Sequence, residues 1–191
     1  MQMGWRLRQL VGIFALSAIG CLAALPGRAA DIPPEYSDAV HEAEAEGLSL
    51  YQAYEKAPAQ NTAEVTAAKS RLVELCDFSY VPVKVKEGDQ DVIYFLAEGP
   101  QKTDIIIGRH FRIAGGTVEP SSKSCLSLGT PKPNLAGLYA THLLSPTPTL
   151  FHVYLTLRHK VSLYVRTSAG TWLVDKGAIK FLDAPQAPPA K

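Results

Sequence analysis

FHVYLTLR (Phe151–Arg158) and VSLYVR (Val161–Arg166), separated only by His159 and Lys160, carry the sharpest two-residue period in the chain. Phe151, Val153, Leu155 and Leu157 alternate with His152, Tyr154, Thr156 and Arg158, and Val161, Leu163 and Val165 alternate with Ser162, Tyr164 and Arg166. Alternation of this kind marks strands with one buried face, so the two runs read as a hairpin. A one-residue slip would turn every apolar side chain outward, which sets the register. Leu157 falls opposite Val161; on the polar face Thr156 meets Ser162, Tyr154 meets Tyr164 and His152 meets Arg166. Thr167–Gly170 turns into a strand at Thr171–Val174, and Asp175–Gly177 into another at Ala178–Leu182, completing a four-stranded meander.

Upstream, Tyr80–Lys86 alternates three valines against Pro82, Lys84 and Lys86, and its proline suits an edge strand. Glu87–Asp89 turns into a partner strand at Asp91–Ala97, and Thr103–Ile113 reads as a further strand with a bulge at Gly108. Pro120–Leu138 is rich in Ser, Gly and Pro and reads as a surface loop. The Pro/Thr stretch Leu143–Leu150 reads as a stiff connector, or as a polyproline segment that docks an aromatic groove.

The N-terminal part has a different period. Tyr36, Val40, Ala43, Gly47, Leu50 and Tyr54 recur in steps of four and three, an amphipathic helix over Pro33–Lys56 with prolines at its entry and Glu35 and Asp38 in its first turn. Asn61 with Glu64 three residues on resembles a capping box, opening a second helix that runs to Cys76. The expectation is an α+β fold: two N-terminal helices packed on one face of an antiparallel sheet of six or seven strands.

Residues 1–29 read as a signal peptide: Arg6 and Arg8, an apolar run from Leu10 to Leu25, and small residues Gly27 and Ala29 before a cut. Cys21 offers a lipoprotein alternative, but bulky Ile19 and the apolar run beyond Cys21 fit it poorly. Residues 30–183 then form a single exported domain and residues 184–191 a disordered, proline-rich tail. The exported chain is expected in the periplasm or the medium, without an integral membrane span. Loss of Arg6, Arg8 and Arg28 lowers the basic count from 19 to 16 against 18 acidic residues. A near-neutral chain with no Lys/Arg block is not suited to nucleic acid. Cys76 and Cys125 remain as an even pair in an oxidising compartment and are expected to form a disulfide.

No catalytic signature stands out. Ser121-Ser122-Lys123-Ser124 spaces its lysine two residues from Ser121 rather than three, and no Gly-x-Ser-x-Gly elbow occurs. His41, His110, His142, His152 and His159 lack metal-ligand spacing, so neither a metal nor a cofactor is expected. The candidate site is the polar face of the last hairpin, Tyr154, Tyr164, His152 and Arg166, residues that serve well as binding anchors and equally well as ordinary solvated sheet surface. The functional expectation is a non-catalytic exported binding or interaction protein whose partner is an envelope protein. The alternative is a small envelope hydrolase with His152 or His110 as base.

Overall fold

The computed structural model describes residues 30–56, 62–132 and 135–183. The segments read as signal peptide and tail, and Asn61, lie outside them. A 3₁₀ turn at Pro34–Tyr36 leads into α1 (Ser37–Lys56), whose buried stripe is Val40, Ala43, Gly47 and Leu50. A Cβ on Gly47 would fall 2.5 Å from that of Val153, so this glycine sets how closely another helix can cross. Helix α2 (Ala63–Lys69) is capped by Thr62, whose Oγ1 accepts the Val65 N–H at 3.2 Å. It is shorter than the helix expected to reach Cys76. Turn bonds from Arg71 and Leu72 to Ala68 and Lys69 end it, Leu72 is still buried, and Glu74 takes a positive φ of 51° that continues no helix.

β1 (Ser79–Glu87) and β2 (Gln90–Glu98) form a hairpin with Val83 opposite Tyr94. The single strand expected over Thr103–Ile113 is two: β3 (Ile106–Ile107) and β4 (Phe111–Ala114), separated where Gly108 and Arg109 take φ of 94° and 54°. With β5 (Thr117–Pro120) the first sheet runs β1-β2-β4-β5, all antiparallel, with the Pro82 strand at its edge. β3 leaves it to pair with β6 (Leu126–Ser127) inside the stretch expected to be loop.

Both faces of β2 are covered. Val92, Tyr94 and Leu96 join Leu50 of α1 in one core, and Ile93 and Phe95 join Val65 and Ala68 of α2 in another. The two N-terminal helices therefore sit on opposite faces of the first sheet rather than side by side. The β2 sequence VIYFLA carries this information as a run apolar at every position, the mark of a strand buried on both sides.

Phe151–Arg158 is not a strand. It lies in α3 (Leu150–His159), entered from Thr149 and left through Lys160 in the left-handed conformation. Residues 150–156 are all buried, and a segment apolar all round shows a period of two or of 3.6 with equal ease. The fourth strand of the C-terminal sheet is instead β7 (Leu138–Thr141), which pairs parallel with β8 (Leu163–Arg166); α3 is the crossover that such a parallel pair requires. β9 (Thr171–Asp175) and β10 (Ala178–Asp183) continue antiparallel as read from sequence, giving the order β10-β9-β8-β7. The protein is an α+β fold with mostly antiparallel sheets.

The core of this second sheet is built on Trp172, fully buried, with Phe181 at 4.7 Å and Tyr36 at 6.1 Å between ring centroids. The indole N–H donates to Thr167 Oγ1 at 2.9 Å, so its one polar atom is satisfied. Val153 of α3 belongs to this core, while Phe151, Tyr154 and Leu155 belong to that of the first sheet.

Candidate functional site

Replacing the expected hairpin by α3 and β7 disperses the four residues assigned to one face. Tyr154 is fully buried, and its hydroxyl accepts from Arg158 Nη1 at 2.7 Å. Arg158 Nη2 donates to Glu98 Oε1 at 2.6 Å, and the Tyr54 hydroxyl donates to the same oxygen at 2.6 Å. Burial and that bond to Glu98 push the Tyr54 phenol up to about 12. This is an internal brace with no accessible surface at Tyr154. Tyr164 is exposed on β8, and Arg166 two residues on donates to Thr171 Oγ1 at 2.7 Å. His152 lines a cavity.

That cavity, about 200 Å³, is a cleft between α3 and β7 on one side and Gly108, His110 and the Ser121–Leu126 segment on the other. The second wall is stitched by directional bonds. Cys76 and Cys125 are joined in a disulfide, their Cα atoms 6.0 Å apart. Arg109, buried in spite of its charge, donates from Nε and Nη2 to the Glu74 carbonyl at 3.0 and 2.7 Å and from Nη2 to the Glu74 carboxylate at 2.6 Å. Ser122 Oγ accepts the Arg109 N–H at 3.0 Å and donates to the Ser124 carbonyl at 2.7 Å; Ser121 Oγ accepts the His110 N–H at 3.1 Å. Gly108 is required here, since a Cβ would fall 2.2 Å from Ser122 Oγ and its φ lies in the left-handed region.

Three imidazoles line the cleft: His110, His142 and His152. His110 is satisfied on both nitrogens. Nδ1 accepts the Ala97 N–H at 3.0 Å, so Nε2 carries the proton and donates to the Ile106 carbonyl at 3.1 Å. Its ring stacks on Phe151 at 5.3 Å, and burial pushes its pKa down to about 4. His152 Nδ1 accepts the Thr149 N–H at 3.0 Å, tying down the first turn of α3, which leaves the proton on Nε2. Burial, with the neighbouring His142 and His110 adding to it, takes its pKa to about 3. His142 follows β7, its main-chain N–H donating to the Arg166 carbonyl at 2.8 Å, and its ring meets His152 edge to face at 4.9 Å. Its Nε2 is buried without a hydrogen-bond partner, and burial lowers its pKa as well. At neutral pH the cleft therefore presents uncharged rings.

Those groups do not assemble into a nucleophile and base. The hydroxyls of Ser121 and Ser122 hold main-chain atoms, and both nitrogens of His110 are engaged. Among the described residues no group of three His, Cys, Asp or Glu is placed to hold a metal ion, and no helix is long and apolar enough to cross a membrane. Tyr139, which lines the cleft, is 61% exposed; its β8 neighbour Tyr164 is 37% exposed, and Leu143, next to His142 in the chain, 83%. His142 and Tyr139 were missed as site residues because nothing in their spacing links them to His152. The one sequence signal was indirect: Cys125 tethers the serine cluster to the body of the fold.

No family model matches the chain, and neither does any curated protein or solved structure.

Proposed function

We propose that this is a non-catalytic exported binding protein, periplasmic or secreted, whose cleft receives an anchoring group of an envelope protein partner. The observation that carries the reading is the buried, unpartnered Nε2 of His142, a residue of the cleft wall beside the exposed Tyr139. A buried polar atom left unpaired costs about 1–3 kcal/mol, a cost that a bound group supplying the missing hydrogen bond would offset. Protein as the partner is supported by exposed Tyr139 in the cleft wall, with exposed Tyr164 paired to it on β8 and exposed Leu143 and Leu144 following His142, since aromatic side chains are favoured anchors. Export is supported by the signal-like residues 1–29 and by a disulfide, which persists in oxidising compartments.

The test is capture of partners from an envelope extract by the oxidised protein, with Tyr139→Ser/Leu143→Ser as the control pair. A partner held by the parent and released by the pair supports the reading; equal capture by both removes these residues from it.

The hydrolase reading has one observation in its favour, the serines that stand across the cleft from His142 and His152. It requires one of those hydroxyls to come within hydrogen-bond reach of an imidazole nitrogen, a contact that no serine of the cleft makes among the described residues. It predicts esterase or amidase turnover that His152→Gln abolishes without changing the melting temperature. His110, stacked in the core, is no longer a fair test of it.

A further inference from the structure

Building on the reading of the cleft as a binding site, we propose that the group it accepts is an uncharged hydrogen-bond acceptor, a carbonyl or carboxamide oxygen on a small apolar body. Tautomers decide the polarity. The Thr149 N–H occupies the lone pair of His152 Nδ1, so Nε2 is an N–H donor and cannot ligate a metal unless the helix cap is broken. His110 has no nitrogen to offer. That leaves His142 as the second polar contact: its Nε2 is buried without a partner, and a turn of the ring into the cleft presents its proton to the same oxygen.

Charge decides against an anion. None of the residues lining the cleft carries a formal charge, and of the neighbouring guanidiniums Arg109 is turned toward Glu74 and Arg158 toward Glu98. Burial keeps the histidines neutral at pH 7, so a carboxylate would be stripped of water without a counter-charge. Ile107, Leu155 and Leu126 supply apolar walls, and Phe151 a flat one. The volume, about 200 Å³, suits one ring or one amide-bearing side chain, below the size of drug-scale pockets.

The experiment follows the imidazole nitrogens by ¹⁵N–¹H NMR in the oxidised protein, purified from the envelope fraction with the N-terminus it carries there. Benzamide, benzoate and zinc chloride are titrated separately. Benzamide should shift the His142 and His152 rings saturably, benzoate should bind about tenfold more weakly or less, and zinc should leave both rings unmoved. His142→Phe should abolish the benzamide response; if that variant fails to fold, His152→Gln, which keeps an N–H donor at the same helical position, should retain it. Tighter binding of benzoate or zinc to these rings overturns the ligand class while leaving the cleft a binding site. No response of either ring to any of the three overturns both.

Discussion

On the α3 and β8–β10 side of the cleft, Val153, Leu163, Val165, Trp172 and Val174 are buried almost without remainder; on the opposite side every residue from Lys123 to Leu128 is exposed. The first wall is held by cohesion among many side chains, each contributing a little. The second hangs on a disulfide, one buried arginine and two serine hydroxyls. A wall held by few directional bonds is positioned accurately while they last and fails abruptly when one is removed. A site between two such walls has a fixed floor and a conditional rim.

The largest effect expected is on the cohesive side. Trp172→Ala should destabilise the whole domain by about 4 kcal/mol, read as a lower midpoint in urea with an unchanged slope. Cys76→Ser/Cys125→Ser should cost about 4 kcal/mol or somewhat less in the chain-entropy model, since the bridged residues are 49 apart. Its signature should differ: amide exchange rises first over residues 121–128, while emission from Trp172, the one tryptophan after residue 29, stays native. Simultaneous loss on both sides would mean that the walls are one unit.

Acid should loosen the cleft from within. The three lining histidines have folded pKa values below the usual value, His110 about 4 against 6.5, so the unfolded chain takes up protons first. Stability is then full above about pH 6.5 and is lost as pH falls toward 4 and below, by on the order of 3 kcal/mol for His110 alone. A flat melting temperature between pH 7 and 4.5 would contradict this. The smallest effect separates two parts of one contact. Arg109→Ala should cost about 2 kcal/mol by orphaning buried carbonyl bonds, whereas Glu74→Gln, whose side chain is 80% exposed, should cost less than about 0.5 kcal/mol. Equal losses would place the strength in the ion pair instead.

Legibility in the sequence followed the same division. The stripe of α1, strand β1 and the β8–β10 meander were readable because each has one buried face and one solvated face. Phe151–Arg158 was misread because a helix buried on all sides shows no polar face by which its period can be told from a strand's. That one error moved Tyr154 from a surface to a core and hid the β7 strand. The disulfide was legible from cysteine count and compartment. The cleft was not, because His110, His142 and His152 are brought together by long-range pairings that no local spacing announces.

Helix α3 completes the cores of both sheets, which has a consequence for the order of events as the chain is made. Until residues 151–155 emerge, the apolar side of β2 lacks Phe151, Tyr154 and Leu155, and of the second sheet only β7 has been made. The greater part of the polypeptide thus lengthens without a fold it can finish. Neither of the two cores that α3 joins can be completed before the last quarter of the chain is made.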